Sequence, residues 1–133
     1  MDISLPATLQ HPGHLHLLVT GGRDYADEYL ECDALDRILV LVEQRGLRLV
    51  IIQGGATGAD AIARRWAWDN NIRCITERAR WDLHGDKAGP LRNQRMIDNH
   101  HPDICLAMPG GKGTHDMTVR CELAGIPVVE PAV

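Results

Sequence analysis

One pattern recurs along this chain and limits its fold more than any other: a short apolar run, then glycines, then an amphipathic stretch. Leu15 to Thr20 leads into Gly21-Gly22-Arg23-Asp24-Tyr25. Leu47 to Gln53, centred on Val50, Ile51 and Ile52, leads into Gly54-Gly55-Ala56-Thr57-Gly58. Ile72 to Thr76 is a weaker third run. Asp103 to Met108 leads into Pro109-Gly110-Gly111-Lys112-Gly113-Thr114, and Pro127 to Val129 is a short fifth. Continuous rather than alternating apolar runs suit strands buried on both faces, as in a parallel sheet.

The segments between the runs read as helices. Leu35, Leu39 and Val42 share a face within 27–45, and Gly46 supplies a stop. Ile62 and Trp66 share a face within 59–70, which the Asn70-Asn71 pair ends. Pro90 is placed to open a helix running to about Asn99, and Thr114 to Ala124 closes on Gly125 and Pro127. Strands alternating with helices predict an α/β fold: one Rossmann-like, doubly wound, mainly parallel sheet with helices on both faces. A strand order of 3-2-1-4-5 makes strands one and four neighbours where the winding reverses. The loops Gly21–Tyr25 and Pro109–Thr114 then flank the crevice in which such sheets bind ligands, with Gly54–Gly58 alongside.

A chain of 133 residues suits one domain, here expected over 14–133, with residues 1–13 (Pro6, Pro12, Gly13) a flexible tail. The net charge of −4 argues against a general nucleic-acid binder, and no sequence-specific nucleic acid is expected either. Cys32, Cys74, Cys105 and Cys121 form no CxxC pair, so buried thiols in a reducing compartment are expected, Cys74 and Cys105 on strands. Met1 to His16 has neither a basic leader nor a long apolar stretch, and no segment nears a membrane span, so a cytoplasmic chain without a membrane partner is expected.

Gly54 to Asp60 has what a strand-to-helix anion loop needs: glycines for close backbone approach and free N–H groups at a helix start. It is neither a G-x-G-x-x-G fingerprint nor a Walker A loop. A plain turn capped by Thr57, with Asp60 completing a capping box, fits equally well. Asp60 would repel a bare phosphate, so it either accepts from ribose hydroxyls or caps the helix. Pro109 to Thr114 is more specific, because three glycines in four residues cost more backbone entropy than a turn requires. Lys112 adds a point charge there. Arg92, expected on the first turn of its helix, opposes the helix dipole and predicts a compensating anion. Arg23 is a second anion clamp or, alternatively, a surface partner of Asp24.

The histidines (His11, His14, His16, His100, His101, and His84 in the loop Asp82–Asp86) lack zinc spacing, so solvated or capping roles are expected and no metal or other cofactor. Trp66 and Trp68 cannot both face one core from one helix, which allows a homo-oligomer built on the other. No arrangement supports a nucleophilic hydrolase.

Four co-linear motifs carry a family resemblance. Leu18 to Tyr25, Gln53 to Asp60, Gly89-Pro90-Leu91-Arg92-Asn93-Gln94-Arg95-Met96 and Pro109 to Met117 resemble the YspA/cpYpsA-related (YAcAr) branch of the SLOG superfamily, which has bacterial and phage members. The resemblance runs from about Leu15 to Val129. It implies a Rossmann-like sheet and a site for a nucleotide-like small molecule. The implied ligand-binding residues are Gly21, Gly22, Arg23, Asp24, Gly54, Gly55, Thr57, Gly58, Asp60, Arg92, Asn93, Pro109, Gly110, Gly111, Gly113 and Thr114. More distantly the chain is similar to the Lonely Guy phosphoribohydrolases, whose signature is Pro-Gly-Gly-x-Gly-Thr-x-x-Glu plus an arginine helix. Arg92 and Met96 match that helix and Pro109 to Thr114 the loop, but the glutamate position is Met117. A thioether cannot stabilise an oxocarbenium or activate water. Asp116 is adjacent, but one residue along a helix turns a side chain by about 100°. Sensing or binding is therefore the leading reading, with Arg92 and Asp116 as catalytic candidates for the alternative, an N-glycoside or phosphoribosyl hydrolase.

Overall fold

The computed structural model describes residues 3–131. Five strands, β1 (His14–Thr20), β2 (Arg48–Gln53), β3 (Arg73–Thr76), β4 (Ile104–Ala107) and β5 (Val128–Val129), form one sheet in the order β3-β2-β1-β4-β5. All four pairings are parallel, with Leu17 facing both Ile51 and Ile104 across the register. The helices are α1 (Glu28–Gln44), α2 (Ala59–Asp69), α3 (Trp81–His84), α4 (Ala88–His100) and α5 (Lys112–Leu123).

Alternation along β1 sorts the core into two layers. Leu15, Leu17 and Val19 face one side, where Leu35 and Ile38 of α1 and Ala63 and Trp66 of α2 cover them. Leu18 faces the other side with Ile52 and Cys105, under Met96 and Ile97 of α4 and Met117 and Cys121 of α5. Trp66 is buried and its indole N–H donates to Asp36 Oδ1 at 2.9 Å, tying α2 to α1, whereas Trp68 is exposed. Strand order and helix placement agree with the sequence. Cys74 and Cys105 lie on β3 and β4, Cys105 fully buried. Among the described residues no helix is long and apolar enough to cross a membrane.

Local differences have local causes. The stretch Asp82–Asp86, expected to be a loop, is helical: α3 and a 3-10 turn (Gly85–Lys87) run straight into α4. That run starts α4 at Ala88 rather than Pro90, and Pro90 still falls in the first turn, where its missing N–H removes no helical bond. Arg92 consequently lies in the second turn, not the first. The stretch set apart as a tail touches the domain: Gln10 N–H donates to Asp103 Oδ1 at 2.8 Å, and Ile3, Leu5 and Leu9 pack on the first core layer. His11 and His16 are stacked with ring centroids 3.8 Å apart, and each contacts the His100 carbonyl, so these side chains are not simply solvated.

Candidate functional site

At the carboxyl edge of the sheet three loops are knotted together through Gly22. Its N–H donates to Pro109 O at 2.9 Å, and its carbonyl accepts from Ala59 N–H at 3.1 Å, which joins the loops after β1, β2 and β4. Thr57 Oγ1 donates to Arg23 O at 3.0 Å across the same junction. Such approaches require bare backbone. A Cβ on Gly58 would collide with Gly22 O, and Gly58 also stands at φ 70°. A Cβ on Gly110 would meet Gly22 N at 2.7 Å.

The Gly54–Asp60 loop is closed on itself. Asp60 lies just inside α2, yet its carboxylate turns back: Oδ2 accepts from Gly54 N–H at 3.1 Å and Ala56 N–H at 3.2 Å. Gly55 N–H donates to Gln53 Oε1 at 2.7 Å. Donors that the sequence assigned to a ligand are thus already taken. The capping-box alternative is corrected too, since the N-cap of α2 is Gly58 and makes no side-chain cap bond. Arg92 is clamped onto this loop, Nη1 donating to Gly54 O at 2.7 Å. Burial lowers the pKa of Arg92, while the Asp60 charge opposes that shift, so the anion expected near Arg92 is found within the protein. Burial raises Asp60, against the hydrogen bonds from Ala56 and Gly54 and the charge of Arg92.

The Pro109–Thr114 loop is the reverse case. α5 starts at Lys112 with Gly111 as N-cap, no capping side chain and no acidic residue in its first turn. The first N–H groups of any helix lack intrahelical acceptors. A Cβ on Gly111 or Gly113 would meet nothing within 4 Å. Both glycines line a cleft of about 590 Å³ with Gly21, Arg23, Asp60 and Arg92.

Asn93, buried on α4, joins these parts. Its amide donates to Gly113 O at 3.2 Å and Asp116 Oδ2 at 3.0 Å, and its Oδ1 accepts from Arg92 Nε at 3.0 Å. Asp116 also accepts from Arg120 Nε at 2.8 Å. Burial pulls the Asp116 carboxyl up, but the bonds from Arg120 and Asn93 prevail and hold it below the usual carboxylate range. Asp116 lines the cleft, whereas Met117 is 1% exposed, inside the second core layer. The helix turn therefore hides Met117 and leaves Asp116 at the cleft.

Gly21, Gly22, Arg23, Asp60, Arg92, Asn93, Gly111, Gly113 and Thr114 come together around this cleft. Gly54, Gly55 and Thr57 border a second cleft beside it, and Pro109 and Gly110 a third that shares Gly111 and Thr114. Gly58 is packed against Gly22 and lines neither, and Asp24 is exposed and outside all three. Arg23 does not pair with Asp24. Its guanidinium lies over the Trp81 ring, 5.1 Å from the centroid. Trp81 and Asp86 also line the main cleft, and sequence reasoning passed over both because their segment carried only an unremarkable histidine.

Comparison with known proteins agrees with this architecture. The model of the YspA, cpYpsA-related SLOG family matches residues 15–84, which take in the loops after β1 and β2. The Gene 61 protein of Mycobacterium phage D29 is 41% identical over 120 residues, covering 85% of this chain and 93% of its own. The chain belongs to the YspA, cpYpsA-related SLOG family. The solved structure of TM1055 superposes with a TM-score of 0.62 at 12% identity, over 86% of this chain and 72% of that one, and so shares the fold. DNA processing protein A of Streptococcus pneumoniae matches at a TM-score of 0.48 and 17% identity, over 87% of this chain and 58% of that one. In this SLOG-family chain the family model ends before Arg92 and the Pro109–Thr114 loop, while the phage relative extends over most of the chain.

Proposed function

We propose that this protein binds a nucleotide or nucleotide-derived small molecule in the main cleft, with a phosphate at the start of α5. The supporting observation is the pair Gly111 and Gly113: neither has a steric need to be glycine, both face open space, and they flank an uncapped helix start beside Lys112. Backbone donors, the positive end of a helix dipole and a lysine together favour an anion. Asp60 and Asp116, both at the cleft, supply acceptors for ribose hydroxyls or base amino groups.

A binding role fits better than turnover, because Asp116 Oδ2 is already engaged by Asn93 and Arg120. Its lowered pKa makes the carboxylate a weak base for activating water as well as no donor to a leaving base. The hydrolase reading keeps one supporting observation, the cleft position of that carboxylate.

Native mass spectrometry of freshly purified protein, which also counts subunits and so tests for a homo-oligomer, is expected to show a co-purified nucleotide. Thermal unfolding against a nucleotide panel tests the same reading. Saturation at 100 times Kd should stabilise by about 2.7 kcal/mol. A panel of mono-, di-, cyclic and sugar-linked nucleotides that shifts no melting temperature overturns it.

A further inference from the structure

The Arg23–Trp81 contact stands between two clefts, because both side chains line the main cleft and also the smaller one beside it, of about 380 Å³. The two differ in charge. The main cleft mixes Asp60, Asp86 and Asp116 with Arg23, Arg92 and Lys112. Among the described residues the smaller cleft is lined by Arg23, Arg78 and Arg92 and by no acidic residue. Glu77 lies next to Arg78 in sequence, but its carboxylate is engaged by His100 at 3.2 Å and Arg95 at 3.7 Å and does not line this cleft.

Two of the three arginines are held in place by the loop they border. Arg92 Nη1 donates to Gly54 O at 2.7 Å and Arg78 Nη1 to Gly55 O at 3.2 Å, while Arg95 Nη2 holds the Arg78 carbonyl at 2.8 Å. Among the described residues the Arg23 guanidinium is held by the indole face alone. Converging like charges repel one another, and the fold keeps these three around one cleft while the carboxylates near Arg92, Asp60 and Glu77, lie outside its lining. Guanidinium groups so arranged match the oxygens of phosphoryl groups.

We propose that the Arg23–Arg78–Arg92 cleft is a second anion subsite, which takes a further phosphoryl group of a ligand that crosses the Arg23–Trp81 contact. The spanning part rests on the nucleotide reading above. The ligand class is then a nucleotide that carries more than one phosphoryl group, such as a pyrophosphate-linked one.

The test uses inorganic pyrophosphate as probe on the full chain, read by calorimetry and by the arginine Nε–H resonances. Pyrophosphate should perturb Arg23 and Arg78. Arg78→Gln and, separately, Arg23→Gln should each weaken it by on the order of tenfold. Arg65→Gln removes an equal charge on an exposed part of α2 and should leave the affinity unchanged. Pyrophosphate that fails to bind, or binds equally well to both cleft variants, overturns the subsite. A nucleoside monophosphate and a nucleoside diphosphate sugar are titrated in parallel. Should neither nucleotide bind while pyrophosphate still depends on Arg78, the subsite stands and the nucleotide reading falls. Equal affinity for the two nucleotides, unaffected by Arg78→Gln, overturns the spanning ligand alone.

Discussion

The loops after β2 and β4 look alike on paper, each a glycine cluster between a buried strand and a helix, yet the protein uses them in opposite ways. In Gly54–Asp60 the N–H groups of Gly54, Gly55 and Ala56 are taken by Asp60 and Gln53, and the carbonyls of Gly54, Gly55 and Ala56 are taken by Arg92, Arg78 and Arg64. In Pro109–Thr114 the helix start is uncapped and two glycines face open space. Glycine content marks both loops equally. Hydrogen-bond accounting separates a brace from a cradle.

The largest expected effect pits one loop against the other. Asp60→Ala orphans the Gly54 and Ala56 donors, at about 1–3 kcal/mol for each, and removes a carboxylate charge near Arg92. In a domain of this size that lowers the melting temperature by roughly 10 °C or more. Lys112→Ala, an exposed change, should shift stability by less than about 0.5 kcal/mol and weaken an anionic ligand by about tenfold. Equal melting temperatures for the two variants would erase the distinction between the loops.

A buried acid on α1 senses the Asp60 charge. Glu31 on α1 is fully buried, both its carboxylate oxygens are without partners among the described residues, and its pKa is pushed up to about 9 by burial first and then by the charges of Asp60 and Glu28. An unfolded glutamate titrates near 4.3. Between those values the folded state keeps a proton that the unfolded state has lost, so this group lowers stability as pH rises, by up to about 1.4 kcal/mol per unit. Glu31→Gln should therefore match the wild type near pH 5 and exceed it by roughly 4 kcal/mol near pH 8. Denaturant curves at both pH values measure the difference, and a gap independent of pH would show that Glu31 is ionised in the fold.

A gentler comparison uses two adjacent glycines. Gly110→Ala drives a methyl into the Gly22 backbone and should cost about 1–3 kcal/mol. Gly111→Val meets no neighbour and should keep a native circular dichroism spectrum while losing ligand affinity. Gly111 has φ −101°, so no left-handed backbone is at stake, and the valine acts only by filling the cleft.

Which parts of this were legible in the sequence follows from what each depends on. The two-sided core is signalled by continuous apolar runs such as Val50–Ile52, the pattern of strands buried on both faces. The strand order is the one a Rossmann-like α/β sheet takes. The meeting of three loops follows from that topology. The return of Asp60 onto Gly54, by contrast, is a choice between capping the helix and bracing the loop, and local spacing favours neither. Trp81 was illegible because its place at the cleft depends on α3 packing between Arg23 and Gly89, whose Cβ position lies 3.5 Å from the indole.

Catalysis supplies the smallest expected effect. The resemblance puts Met117 at the position of the Lonely Guy glutamate, but it is packed with Leu18, Ile52 and Met96. A carboxylate there would be buried in the core, so Met117→Glu should destabilise the fold rather than create cleavage. The carboxylate that does reach the cleft, Asp116, spends Oδ2 on Asn93 and Arg120 and stays ionised well into acid solution. It can accept hydrogen bonds or steady a positive charge, and its lowered pKa leaves it no general acid near neutral pH and a weak general base. General acid–base help is worth about 10²- to 10⁴-fold, and without it release of free base from nucleoside monophosphates should stay near background. Asp116→Asn should then change base release little, and the binding of an uncharged part of the ligand only modestly. Chromatography after long incubation at high protein concentration makes the measurement. Robust release by the wild type that vanishes in Asp116→Asn, with melting temperature unchanged, would make the open loop part of a hydrolase and not of a sensor.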